Sequence, residues 1–277
     1  MSSRYADLDR PPLHSDALRG ALVVPGSLWT RLDVVDETAS TNALLKECAR
    51  RGGSTGSVVI AEHQIAGRGR LGRTWTAAPR SSLTMSVLVR PYDVDVTRWP
   101  WIPLLTGLAV AAAMRREAFV DAEVKWPNDV LVGGRKLAGV LVERVENPTE
   151  RAAAVIGIGI NVSLRRDELP VATATSLALE GSATTDRTLL AKAVLRALEG
   201  LLTQWEGVAG DPGVGLSAAY REACGTLGRR VRVELPGGSA VEGDAVGIDG
   251  SGRLLLRSGG TEHAYGAGDV VHLRPLA

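Results

Sequence analysis

Val58-Val59-Ile60-Ala61-Glu62-His63-Gln64-Ile65-Ala66-Gly67-Arg68-Gly69-Arg70-Leu71-Gly72-Arg73 is the stretch on which the reading of this chain turns. The β-branched run Val58 to Ile60 leads into a loop where Gly67, Gly69 and Gly72 are interleaved with Arg68, Arg70 and Arg73. Glycine admits positive φ and close backbone approach, and arginine presents a planar fork of donors suited to carboxylate or phosphate oxygens. Such a loop expects an anion; the bland alternative is a solvated basic turn. The glycines also satisfy G-x-G-x-x-G, but the dinucleotide fingerprint needs a helix to begin among them. Thr74-Trp75-Thr76-Ala77-Ala78-Pro79 follows, with no helical period and a proline, so a Rossmann reading is rejected.

Working outward, Leu28 to Val35 reads as a strand, Asp36 to Asn42 as a polar turn, and Ala43 to Ala49 as a helix that Ser40 and Thr41 cap. Ser82 to Arg90 alternates as a strand, with Leu83, Met85, Val87 and Val89 on one face. Trp99 to Arg116 is an apolar helix, too short and too interrupted by Pro103 for the ~20 residues of a membrane span. Ala122 to Trp126 is a short strand stopped by Pro127, and Asn128 to Val145 a hairpin turning at Gly133-Gly134. In the buried strand Ala152 to Val162, Gly157 and Gly159 weaken the element unless another group comes close to its backbone. Asp186 caps a helix from Arg187 to Trp205, and another helix spans Gly215 to Ala223. After Gly225 the texture becomes short strands and Gly-rich turns, a small all-β unit. Residues 1–27, with Pro11-Pro12, read as a loosely ordered arm or a short docking segment.

The 277 residues suit one large domain or a domain and a half, and 45% hydrophobic with 23% charged residues is ordinary for a globular protein. A net charge of +1 supplies no overall field for nucleic acid. Two cysteines fit buried thiols in a reducing cytoplasm, and four scattered histidines build no metal site. Of 32 basic residues only Lys46, Lys125, Lys136 and Lys192 are lysines; the other 28 are arginines, so a retained lysine hints that a compact ammonium is wanted.

Four motifs in order, Gly67-Arg68-Gly69-Arg70-x-Gly72-Arg73, Lys125-Trp126-Pro127-Asn128-Asp129, Lys136-Leu137-Ala138-Gly139-Val140-Leu141-Val142-Glu143 and Gly157-Ile158-Gly159-Ile160-Asn161-Val162, resemble those of biotin protein ligases over roughly residues 30–274. The resemblance implies an α+β fold: a catalytic domain, 28–225, with a central mixed sheet flanked by helices, then a small SH3-like β-barrel, 226–277. It implies ATP-dependent activation of biotin to biotinyl-5′-AMP, with Mg²⁺ arriving on the ATP and no protein metal site, then transfer to a lysine of a biotin carboxyl carrier protein.

By that resemblance Arg68, Arg70 and Lys125 are catalytic, with Lys125 bridging the biotin carboxylate and the α-phosphate. Biotin binding falls to Ser40, Thr41, Asn42 and Gln64 on the ureido ring, to Gly67, Arg68, Gly69, Arg70, Lys125 and Gly139, and to Trp75 and Trp126 as apolar walls, core packing being the alternative for each tryptophan. Arg68, Arg70, Arg73, Lys125, Asn128, Lys136, Gly157, Gly159, Ile160 and Asn161 are expected on the ATP or adenylate. Lys136 either meets a phosphate or braces its hairpin. Leu71 departs from the basic or polar residue usual at its position and is expected to face outward. The segment 164–175 is the candidate loop over adenine. Rival readings are a lipoate-attaching ligase of related fold, a biotin-responsive DNA-binding repressor and a non-catalytic biotin sensor. With about 27 residues ahead of the catalytic region, no DNA partner is expected, no membrane either, and the location is the cytoplasm.

Overall fold

A computed structural model describes residues 10–273. Chain order is α1 (Ser15–Leu22), β1 (Arg31–Thr38), α2 (Thr41–Arg50), β2 (Ser57–Gln64), the two-residue strands β3 (Gly67–Arg68) and β4 (Thr74–Trp75), β5 (Ser82–Val89), α3 (Trp101–Ala113), β6 (Ala122–Lys125), β7 (Asp129–Val132), β8 (Arg135–Val145), β9 (Ala153–Asn161), α4 (Arg187–Gly207), α5 (Leu216–Ala223) and the C-terminal strands β10 (Arg230–Glu234), β11 (Ala240–Ile248), β12 (Leu254–Ser258), β13 (Thr261–Tyr265) and β14 (Asp269–His272). Seven strands form a sheet in the order β1-β2-β5-β9-β8-β7-β6, parallel only between β1 and β2. The last five make an antiparallel sheet, β13-β12-β11-β10-β14.

Side chains alternate across a strand, so the pairings Leu83↔Ile160, Met85↔Ile158 and Val87↔Ile156 line one face of the large sheet with bulky apolar groups, extended by Val140 and Ala138. That face packs under α3 and α4, joining Leu104, Leu105, Leu190, Val194 and Leu198 in one buried cluster. The opposite face holds a small cluster at one end, where Leu45 and Ala49 of α2 meet Val59, Leu88, Val145 and Val155. Beyond α2 the same face carries Thr84↔Gly159↔Gly139 and Ser86↔Gly157↔Leu141, a floor of small groups. The C-terminal sheet turns Val231, Val233, Leu254, Leu256 and Val270 into the main cluster, and Trp101 and Trp126 donate indole N–H groups to Gly250 O at 3.1 Å and Gly252 O at 3.0 Å.

Two expectations are corrected. Residues 1–9 of the expected arm lie outside the described residues, but 10–27 are fastened. Leu18 and Leu22, one helical turn apart on α1, are fully buried, Leu13 N donates to Glu62 Oε1 at 2.6 Å, and Arg10 pairs with Glu168. The two prolines masked an eight-residue amphipathic helix too short to assert its period. The expected polar turn at 36–38 is also strand, because parallel pairing of Glu37 and Thr38 with His63 and Gln64 overrides local polarity.

Candidate active site

The floor of small residues opens into a cleft whose void, counted out to solvent, is about 740 Å³. Its lid is the glycine-arginine loop, a β-ribbon in which β3 pairs with β4 and Gly69 N donates to Arg73 O at 2.8 Å. Leu71 at φ 54° and Gly72 at φ 75° form the tip, the pair of positive φ values that tight hairpins adopt. Leu71 is 61% exposed and points away from the cleft, as its chemistry predicts.

Gly157 and Gly159 are explained by what rests on them. A Cβ on Gly159 would stand 2.5 Å from the Trp75 indole, and one on Gly157 would collide with the Asn42 side chain. Trp75 thus lies over Gly159 and, more loosely, Gly139, and its Nε1 is buried without a hydrogen-bond partner.

One end of the cleft is neutral and polar. Ser40 caps α2 by accepting from Ala43 N, which turns Thr41 and Asn42 toward the sheet. Gln64 Oε1 accepts from Thr41 N at 2.7 Å and lies 3.0 Å from Thr41 Oγ1.

The other end is cationic. Arg70 donates to Asn128 Oδ1 at 3.0 Å, Asn128 in turn donates to Val140 O, Lys136 pairs with Asp129 at 2.7 Å, and Arg73 pairs with Asp269 of β14. Burial pushes the Arg70 guanidinium below its usual value, against the pull of Asp269 and Asp129. Lys125 stands across from Asp129 on the β6–β7 hairpin. Burial depresses its ammonium pKa, Asp129 opposes that, and Lys136 adds to it. Among the described residues neither Arg68 nor Lys125 has a carboxylate within ion-pair distance. Four cations, Arg68, Arg70, Arg73 and Lys136, line the cleft with two carboxylates, Asp129 and Asp269, and Lys125 adds its charge from behind, an imbalance that favours anionic ligands.

The cleft gathers Ser40, Thr41, Asn42, Gln64, Arg68, Gly69, Arg70, Arg73, Trp75, Asn128, Lys136, Gly139, Gly157 and Gly159 of the expected set. Lys125 sits just behind its wall, felt there through its charge, and Gly67 is buried in the ribbon, where a Cβ would strike Trp75 O.

Three further residues of the expected set do not line the cleft. Trp126 is buried against the C-terminal sheet, Ile160 lies in the helix-covered core, and Asn161 is buried with its Nδ2 donating to Thr175 O at 2.9 Å. Asn161 and Lys136 instead tether the end of the 164–175 segment, since Lys136 N donates to Thr173 O and Thr175 N to Lys136 O.

Sequence reasoning missed Thr84 and Ser86, although the alternation Ser82, Thr84, Ser86 opposite the apolar face was a visible signal. It also missed Asp269, which nothing local marks, because only packing of the second sheet brings it to Arg73.

Residues 34–161 match the biotin/lipoate A/B protein ligase family, and residues 226–273 match the biotin protein ligase C terminal domain. A Mycobacterium tuberculosis protein named biotin–[acetyl-CoA-carboxylase] ligase is 47% identical over 269 residues, covering 96% of this chain and 97% of that one. A bifunctional ligase/repressor of Salmonella typhimurium is 31% identical over 266 residues, 95% of this chain and 78% of its own. Biotin protein ligase from Aquifex aeolicus, solved in complex with biotin and ATP, superposes with a TM-score of 0.73 at 27% identity, over 89% of this chain and 100% of that one.

Proposed function

Since this chain belongs to the biotin protein ligase family, we propose that it activates biotin with MgATP to biotinyl-5′-AMP and pyrophosphate. It then transfers the biotinyl group to a lysine of a biotin carboxyl carrier protein. The observation that carries this reading is the two-ended cleft: a neutral donor-acceptor pair, Thr41 and Gln64, at one end and an excess of cations at the other. Biotin has the same polarity, a ureido ring joined by an apolar body to a carboxylate, and the Trp75 indole over glycine supplies the apolar middle.

In the first step a carboxylate oxygen attacks the α-phosphorus, forming an acyl–phosphate bond as the bond to pyrophosphate breaks. Two anions must meet, so positioning and charge neutralisation matter more than a protein nucleophile. Lys125 is assigned the bridging ammonium. Its depressed pKa reflects a buried charge awaiting an anion, and a bound carboxylate or phosphate oxygen would restore its preference for the charged form. Arg68, unpaired at the lid, is assigned to the reacting carboxylate and α-phosphate, and Arg70, held by Asn128, to the phosphates. Mg²⁺ is held chiefly by the phosphates it arrives with.

In the second step the carrier amine attacks the acyl carbon and AMP leaves. The 164–175 segment, tethered at its end to β8, is assigned to close over adenine and shield the anhydride from water. We assign the activation chemistry to residues 28–225, with the C-terminal strands adding Asp269 to the cleft. A cytoplasmic site of action is supported by two free thiols, and among the described residues no helix is long and apolar enough to cross a membrane.

Intact-mass analysis of a carrier domain incubated with this protein, biotin and MgATP tests the reading. One added biotinyl group, dependent on ATP and on the acceptor lysine, is the expected result. Labelling of a lipoyl domain with lipoate instead would overturn the choice of acyl group.

A further inference from the structure

Beneath the neutral end of the cleft runs a chain of polar groups, half-buried at Lys46 and Glu143 and buried beyond them. Lys46 Nζ donates to Glu143 Oε1 at 2.5 Å, Asn42 Nδ2 donates to Glu143 Oε2 at 2.9 Å and lies 3.4 Å from Leu141 O, and Ser86 Oγ stands 2.6 Å from Asn42 Oδ1 and 2.7 Å from Thr41 Oγ1. Ser86, Thr41 and Asn42 are all buried. Burial alone would push the Glu143 carboxyl up, but hydrogen bonds from Lys46 and Asn42 outweigh it and hold the group below its usual value, as an acceptor only.

Counting protons along this chain gives it a direction. Glu143 accepts, so Asn42 turns its amide nitrogen to it and its carbonyl oxygen to Ser86. A carbonyl oxygen cannot donate, so the single Ser86 proton goes to Asn42, and the Thr41 proton lies between two close acceptors, Ser86 Oγ at 2.7 Å and Gln64 Oε1 at 3.0 Å. Thr41 Oγ1 is left with a lone pair toward the cleft. Gln64 Oε1 is held by the Thr41 backbone N–H, which leaves Gln64 Nε2 as a donor. The cleft thus shows an acceptor beside a donor, the complement of one N–H and the C=O of a cyclic urea. A side chain at Gly157 would displace Asn42, so the glycine preserves the relay.

We propose that Glu143, acting through Asn42 and Ser86, is a positioning residue that fixes the Thr41 hydroxyl as an acceptor for the ureido N–H of biotin. The inference rests on the biotin ligase reading and extends it to residues that do not touch the ligand. Glu143→Gln keeps the shape of the side chain but offers a donor as well as an acceptor, so Asn42 can turn over, Ser86 then donates to Thr41, and the Thr41 proton keeps only Gln64 Oε1 of its two acceptors and is freer to face the cleft. The expected result is a rise in KM for biotin of about tenfold, with kcat and KM for ATP within about twofold, in a pyrophosphate-release assay. Ser86→Ala, which cuts the relay without touching the Glu143 pair, is expected to raise KM for biotin similarly, and the double variant to exceed the larger single effect little. Lys46→Met removes the same ion pair while leaving the bond from Asn42, so its expected mark is a lower Tm with KM for biotin within about threefold.

A bracing role alone would give the opposite split: Lys46→Met and Glu143→Gln would lower Tm alike, and neither KM would move. An unchanged KM for biotin in both Glu143→Gln and Ser86→Ala overturns the proposal, and Ser86→Ala decides it alone if Glu143→Gln does not fold. Wild-type protein that releases no pyrophosphate with biotin overturns the ligase reading instead, so the two failures are distinguishable.

Discussion

The two faces of the same three central strands, β5, β9 and β8, are built to opposite rules. The face under α3 and α4 carries Leu83, Met85, Val87, Ile156, Ile158 and Val140 in a continuous core. The face opposite carries Thr84, Ser86, Gly157, Gly159 and Gly139, and a cleft opens over it beside the Asn42 and Trp75 side chains. Charge follows the same division. On the helix side Arg187 is buried and answered by Glu62 at 2.6 Å, the side chains being 4% and 5% exposed. On the cleft side Lys125 and Arg68 have no such answer among the described residues. The core answers its buried charge; a site for anions keeps its charge unmatched until the ligand arrives.

The sharpest break of this comparison is Arg187→Met. It strands the Glu62 carboxylate beside Leu13 N, and removing one partner of a buried pair costs about 3–5 kcal/mol. A large loss of stability by chemical denaturation is expected, much of it recovered in Glu62→Leu/Arg187→Met, where neither charge remains. Lys125→Ala should behave oppositely, with stability nearly intact and adenylation slowed roughly 10² to 10³-fold, about 2.7–4 kcal/mol. Near-normal adenylation in a single-turnover assay would remove Lys125 from the mechanism.

Adding bulk to the open face tests it from the other side. Gly159→Val must push the Trp75 ring off its floor, overpacking that typically costs about 1–3 kcal/mol. Here the cost should fall mainly on biotin affinity, by titration calorimetry, because the cleft rather than the core absorbs it; an equal loss of Tm with unchanged affinity would show that the floor is structural.

The smallest expected effect concerns pH. Burial, with the charges of Lys125 and Arg229, holds His272 down from 6.5 to about 4, so the folded state binds fewer protons than the unfolded chain between those values. Its contribution to stability is complete above about pH 6.5 and is lost as pH falls toward 4. His272→Gln should flatten that slope in denaturation measured at pH 7 and pH 5, and Lys125→Ala should raise the His272 pKa by NMR titration.

Much of this was legible locally. The hairpin turning at Gly133-Gly134, the Asp186 cap with its bonds to Thr188 N and Leu189 N, and the C-terminal strands follow from turn chemistry, capping and alternation, which act over a few residues. The glycines of β9 announced that something approaches them, but not that it would be Asn42 and Trp75. Trp126, Ile160 and Asn161 are expected at the site because the resembling motifs contain them, whereas alternation turns Ile160 into the core and packing takes Trp126 to Gly252 O and Asn161 to Thr175 O.

The sequence by itself determined most of the elements, the anion-seeking loop and the family, since these depend on residue type and short spacing, while α1 and the end of β1 took their form from packing and pairing. Only the tertiary structure decided that Asp269 meets Arg73 across 196 positions, that Glu143 reaches Asn42 across 101, and that Arg187 is answered while Lys125 is not. Charge pairing and hydrogen-bond direction depend on distances in space, and sequence separation holds no record of them until the sheet and helices have packed.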